Sequence, residues 1–231
     1  MEKTTLETYK KTITILGSCR QESLCSCNKY NITSIKEDLS YPHYTKEILQ
    51  VLNYCMFDNL IPQETIIFRS PTIKKEIIQI NPFLNDIKNS DIIFIEIASR
   101  KYYKYKNLYT HHILYDAPEY NILKDEIEFG NLTDNEIIED LNKIIYLLKD
   151  KKIIIVGHLV TRKNGIRYEL LNLIKNYCSQ NNVPFIDPVT ELLKKTLPLN
   201  DLISTDNQHY TEKGHKEILT IYTNFIDEIC Q

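Results

Sequence analysis

Two runs constrain the fold of this chain more than any others. Asp91-Ile92-Ile93-Phe94-Ile95-Glu96-Ile97 and Lys152-Ile153-Ile154-Ile155-Val156-Gly157 are nearly unbroken aliphatic stretches of strand length. A strand with one wet face alternates apolar and polar residues, whereas a strand covered on both faces does not. Both runs therefore predict strands sandwiched between helices. Three further runs read as strands: the β-branched Thr12–Leu16, Thr65–Phe68 and Val183–Asp187. Helical patterns separate them. Thr45–Phe57 carries Ile48, Leu49, Val51, Leu52 and Met56 on one broad face. Thr133, with Glu136 three residues on, predicts a capping box ahead of Ile137, Ile138, Leu141, Ile144, Ile145 and Leu148. Ile166–Tyr177 and Glu217–Ile229 show the same helical spacing. Alternating strands and helices predict a three-layer α/β/α sandwich around a five-stranded, mostly parallel sheet. No internal repeat or Gly-, Pro- or Ser-rich linker divides the chain, so residues 1–231 read as a single domain.

Composition narrows the function classes. Hydrophobic residues make up 42%, enough for a substantial core, and the net charge of −3 argues against a nucleic-acid-coating protein. No apolar run approaches the ~20 residues of a membrane span. The polar stretch Met1–Lys11 does not read as a secretory signal. The expectation is a cytoplasmic protein without nucleic-acid or membrane partners. Cys19, Cys25, Cys27, Cys55, Cys178 and Cys230 are too scattered for a disulfide scaffold and are expected to be reduced. Cys25 and Cys27 do not have zinc-knuckle spacing, and no metal is expected.

The chemistry is expected where the first strand ends. Gly17 permits a sharp turn, and Ser18-Cys19-Arg20 follows it directly. A small nucleophile on such a turn stands above the sheet, next to backbone N–H groups able to hold an oxyanion. Near the other end of the chain, Asp206 and His209 are three residues apart in Ser204–His215, just before the last helix. That spacing lets a carboxylate orient one imidazole nitrogen while the other faces outward. Cys19, His209 and Asp206 are the parts of an activated nucleophile, with Ser18 as the alternative to Cys19. His215 reads as a surface or capping residue.

Further candidates lie at strand ends. Ser99 and Arg100 follow the third strand and His158 follows the fourth, so all should reach the sheet edge that carries Cys19. Residues 98–132 are too long for an ordinary connection and predict a lid or binding loop. Within it, Arg100, Lys101, Lys104 and Lys106 offer cations for phosphates, and His111-His112 can shape an acceptor pocket.

The two motifs together resemble the SGNH/GDSL hydrolase superfamily. Asp206-x-x-His209, followed by Gly214 and a final helix, is similar to its last block. Gly17-Ser18-Cys19 is similar to its first, Gly-Asp-Ser, and places Cys19 on the nucleophile position. The resemblance implies a flavodoxin-like sandwich and a Cys-His-Asp triad. The superfamily's middle glycine and Gly-x-Asn-Asp blocks are not recognisable, and Ala98-Ser99-Arg100-Lys101 stands after the third strand. Oxyanion and substrate contacts are accordingly assigned to Ser18, Arg20, Ser99 and His158, and cofactor contacts to Arg100, Lys101 and Lys104. The cysteine is similar to Gly-Ser-Cys and Gly-Asn-Cys variants linked to polysaccharide biosynthesis and CoA binding. A thioester at Cys19 suits acyl transfer from CoA. The expected function is acetyl-CoA-dependent acetylation of a sugar or nucleotide-linked amino sugar. An esterase or thioesterase is the alternative, and an inactive glycan- or nucleotide-binding module the second alternative.

Overall fold

The β-branched run Thr12–Leu16 forms β1, and the two aliphatic runs form β3 (Ile92–Ile97) and β7 (Lys152–Gly157). With β2 (Asn31–Ser34) and β8 (Phe185–Ile186) they build one sheet in the order β2-β1-β3-β7-β8, every pairing parallel. This computed structural model describes residues 10–34, 41–56, 81–116 and 124–230. The expected strand Thr65–Phe68 lies outside them. The polar strand β2 lacks the aliphatic signature because it forms the edge of the sheet, and its residues are half-buried or exposed.

Helices cover both faces, as the aliphatic strands require. Ile93, Ile95 and Ile97 meet α1 (Thr45–Met56), α4 (Asp134–Leu147) and α5 (Ile166–Gln180). Between α1 and α4 in sequence lie α2 (Asn81–Asn89) and the short α3 (Ile113–Asp116). On the opposite face, Ile92, Phe94, Ile154 and Val156 meet a 3-10 helix (Cys19–Ser26) and Ile218, Tyr222 and Ile226 of the last helix. Burying each large aliphatic side chain contributes about 1.5–3 kcal/mol. By strand alternation Glu96 points to the same side as Ile92 and Phe94, although it is a carboxylate.

The helix signals behave as their chemistry demands. Thr133 and Glu136 form the reciprocal capping box of α4. Two short helices, α6 (Pro188–Leu193) and α7 (Leu199–Leu202), precede α8 (Glu212–Ile229). α8 starts five residues ahead of the expected Glu217, because the Thr211 hydroxyl caps it by accepting from Gly214 N at 3.0 Å. Gly214 itself is dictated by packing: a Cβ there would lie 1.9 Å from the Leu202 carbonyl oxygen of α7.

The stretch 98–132, expected as a lid or binding loop, contains a second sheet. β4 (Lys101–Tyr105), β5 (Leu108–Tyr109) and β6 (Ile127–Asn131) pair antiparallel in the order β5-β4-β6. Tyr44 anchors it to the main domain, donating its hydroxyl to the Tyr103 and Thr110 carbonyls at 2.8 and 2.7 Å.

Candidate active site

Gly17 ends β1 against β3, where a Cβ would come within 2.8 Å of the Glu96 Cβ. Close approach of two strands, rather than a left-handed backbone, is what requires glycine here. The approach places the next residue on the Glu96 carboxylate. Ser18 donates its amide to Glu96 Oε2 at 3.0 Å and its hydroxyl to the same oxygen. Ser18 is also the N-cap of the 3-10 helix, accepting from Arg20 N at 3.4 Å. It is buried, and its hydroxyl is fully engaged. The first residue of the helix, Cys19, is only half-buried, and it lines a cavity of about 450 Å³.

Glu96 holds two residues that line that cavity, Arg20 and His158. Its Oε1 accepts from Arg20 Nε at 3.3 Å and lies 3.2 Å from His158 Nδ1. Burial alone would raise its pKa. The Arg20 guanidinium, His158 and Ser18 together outweigh that and hold the carboxyl well below the usual carboxylate range. Arg20 extends the network, with NH2 3.1 Å from His158 Nδ1 and NH1 donating to the Gln208 carbonyl at 3.0 Å. Through Arg20, the turn that carries Ser18 and Cys19 is fastened to the residue before His209.

The His209 loop is built by its own sequence. An isolated bridge between Ile203 and Tyr210 closes it, and Asn207 takes a φ of 56°. Asp206 Oδ1 accepts from the Ser204 hydroxyl at 2.7 Å and from the amides of Gln208 and His209 at 2.7 and 3.1 Å. Oδ2 lies 2.6 Å from His209 Nδ1. These contacts, that of His209 first, hold the Asp206 carboxyl well below its ordinary value. The ionised carboxylate keeps the proton on Nδ1 and leaves the Nε2 lone pair free, as a general base requires.

Cys19, Arg20, Ser99, Lys101, His158 and His209 share the cavity. Asp206 stands behind His209. Arg100 and Lys104 are not among the lining residues. Arg100 instead pairs with Asp134 at the start of α4, beside a different groove. Ser99 lines the cavity, but its amide donates to the His43 carbonyl at 2.9 Å and its hydroxyl accepts from Lys101 N at 2.9 Å. His215 lies outside the cavity, with its Nδ1 2.6 Å from the Ser23 hydroxyl. Burial pushes the Cys19 pKa up, the Arg20 charge opposes that, and the Glu96 charge adds to it.

Several cavity residues were not singled out from the sequence. Arg167 comes from the first turn of α5, and burial and then Arg20 lower its pKa. Lys101, by contrast a candidate from the sequence, lies over the rings of Tyr103 and Phe129 at 4.7 and 4.9 Å. His43 sits just before α1, and burial first, then His112, pushes its pKa down to about 3. A lone carboxylate inside an aliphatic strand was the available signal for Glu96, since a buried charge demands a partner.

His43 N donates to Glu47 Oε2 at 2.8 Å. Burial pushes the Glu47 carboxyl up to about 8, against the ~4.3 of an unfolded glutamate. The folded chain thus holds a proton that the unfolded chain releases as pH rises. Between those values Glu47 lowers stability by on the order of 1.4 kcal/mol per pH unit. Glu47→Gln removes that slope, so urea unfolding of the two proteins at pH 5, 6 and 7.5 should show a difference that grows with pH. A constant difference would mean that Glu47 is ionised in the folded protein.

Neither a protein-family model nor a curated protein matches the sequence. Solved structures do. A family 3 carbohydrate esterase from Clostridium thermocellum superposes with a TM-score of 0.51 at 15% identity, covering 96% of this chain and 97% of its own. The psychrotrophic esterase EstA from Pseudoalteromonas sp. superposes with a TM-score of 0.50 at 11% identity, covering 96% and 99%. The chain has the fold of the SGNH/GDSL hydrolases. At these identities the likeness is one of fold. No helix among the described residues is long and apolar enough to cross a membrane.

Proposed function

We propose that this protein is an SGNH-type acyl hydrolase that passes the acyl group through Cys19. The observation that carries this reading is that Cys19 and the Asp206-oriented His209 line one cavity on this fold. Both superposed structures are named as esterases. His209 Nε2 takes the thiol proton as Sγ attacks the acyl carbon, which suits a thiol that burial keeps protonated. The S–C bond forms and the carbonyl becomes an oxyanion. The Cys19 amide is the backbone donor beside it, because the Ser18 and Arg20 amides are already engaged. His158 supplies the second donor in place of Ser99. Its Nε2 is buried without a partner, and Nδ1 lies between the Arg20 guanidinium at 3.1 Å and the Glu96 carboxylate at 3.2 Å; Nε2 carries the proton, and so can donate, in the tautomer whose Nδ1 takes the Arg20 hydrogen bond. Collapse breaks the bond to the leaving group, which takes the proton from His209 Nε2. Water then attacks the thioester, giving its proton to His209, and the thiol returns with release of the carboxylic acid.

Acyl transfer is the second reading, and the cations of the cavity favour it. Among the described residues no carboxylate pairs with Arg167, and Lys101 faces the same space. Both can hold the phosphates of an acetyl-CoA donor. A sugar or nucleotide-sugar acceptor would then replace water.

p-Nitrophenyl acetate turnover and intact mass after incubation with acetyl-CoA separate these readings. The expectation is ester turnover that falls about 10²–10⁴-fold in His209→Ala. An acetyl adduct from acetyl-CoA that only a sugar amine or hydroxyl discharges would establish the transferase instead. Absence of both turnover and adduct would overturn the enzymatic reading in favour of a binding module.

A further inference from the structure

Three histidines converge beside the candidate active site and take no part in the proposed acyl chemistry. His43 lies before α1, and His111 and His112 precede α3, some seventy residues away in sequence. One donor atom from each lies within 4.8 Å of the other two. The His43 ring meets those of His111 and His112 edge-on, at centroid distances of 4.7 and 5.2 Å. We propose that His43, His111 and His112 form a binding site for a divalent transition-metal ion of the Zn²⁺ type, with its open coordination position facing the cavity.

The hydrogen bonding of the cluster points to a metal. His43 Nδ1 is buried and has no hydrogen-bond partner. A buried polar atom left unpaired costs about 1–3 kcal/mol, so a ligand that uses its lone pair is favoured. His112 Nδ1 lies 2.8 Å from Asp116 Oδ2. That carboxylate keeps the proton on Nδ1 and frees the Nε2 lone pair, the support that metal-ligating histidines ordinarily have. His111 Nδ1 accepts a hydrogen bond of 3.2 Å from Ile113 N and must give it up to ligate through that atom. The backbone frame is firm, with the amides of Ala98 and Ser99 both donating to the His43 carbonyl, at 2.8 and 2.9 Å.

The geometry is within reach of coordination. Zn–N bonds of about 2.0–2.1 Å place tetrahedral ligand atoms roughly 3.4 Å apart. Closing from 4.8 Å requires a rotation that the half-exposed His112 side chain can supply. Three imidazoles select zinc-like ions over magnesium or calcium, and three protein ligands leave one position open. His43 and His112 line the cavity that also holds Cys19, so that position opens onto it.

The test titrates chelator-stripped protein with Co²⁺, and then displaces Co²⁺ with Zn²⁺. One equivalent of Co²⁺ should give the visible absorption of a tetrahedral or five-coordinate nitrogen site. Affinity should fall at least a hundredfold in His112→Ala, by about 10–100-fold in Asp116→Asn, and not at all in Cys19→Ala. Asp116 is exposed, so Asp116→Asn decides the matter if His112→Ala fails to fold. No stoichiometric binding by the wild type, unchanged affinity in Asp116→Asn, or a thiolate-to-cobalt charge-transfer band would overturn the proposal.

Discussion

Replacing Cys19 with alanine should lower kcat/KM for p-nitrophenyl acetate about a thousandfold or more, with little change in melting temperature. The Cys19 side chain is half-buried at the start of the 3-10 helix and takes no part in the Ser18–Glu96–Arg20 network. On the proposed mechanism its loss removes the nucleophile and leaves the scaffold intact. Ser18→Ala is the informative contrast. It removes a helix cap and a hydrogen bond to Glu96, costing about 1 kcal/mol for the cap, but leaves the thiol and His209 in place. Activity should therefore survive in Ser18→Ala at a level well above that of Cys19→Ala. The reverse order, with Cys19→Ala active and Ser18→Ala dead, would transfer the nucleophile role to Ser18 and sink the thioester mechanism.

Glu96→Ala should destabilise the fold by about 3–5 kcal/mol in urea unfolding, because it strands the buried Arg20 without its counter-charge. The linkage has a definite sign. The folded-state pKa of Glu96 is depressed, so its contribution is complete above the unfolded value of about 4.3. It is lost as pH falls from there towards the lower folded pKa. Wild-type stability should therefore drop more steeply with acid than that of Glu96→Gln, which keeps the volume and has no proton to bind. Glu96 is also a positioning residue, since Arg20 connects it to Gln208 and hence to the His209 loop. kcat should fall in Glu96→Gln with KM largely preserved. A variant with wild-type kcat and an unaltered acid limb would show that the network is ornamental to both folding and catalysis.

Much of the site was legible in the sequence because its parts are local. Thr12–Leu16 and Gly17 mark a strand and its end within six residues, and the Asp206–His209 pair is closed by contacts inside one short loop. The capping box of α4 is likewise a matter of four consecutive residues. The aliphatic runs marked β3 and β7 as doubly covered strands, and the parallel sheet follows from that. Where the signal is weaker, the reading fell short. β2 is a short polar edge strand with no periodic pattern. The tyrosine- and lysine-rich β4 looks like a loop until β6 pairs with it.

What the sequence by itself determined is therefore the covered parallel sheet, the thiol at the end of its first strand, and the carboxylate–imidazole pair. Only the tertiary structure decided how these are brought together. Strand alternation and the close approach at Gly17 set Glu96 beneath Ser18, which engages that hydroxyl and leaves Cys19 facing the cavity. The His43 carbonyl takes up the Ser99 amide, and His158 borders the cavity with an unspent nitrogen. The same folding gathers His43, His111 and His112 into one cluster. The physical reason is that hydrogen-bond partners and ring contacts between residues tens of positions apart depend on how the helices and the second sheet pack. Local residue patterns do not encode that packing.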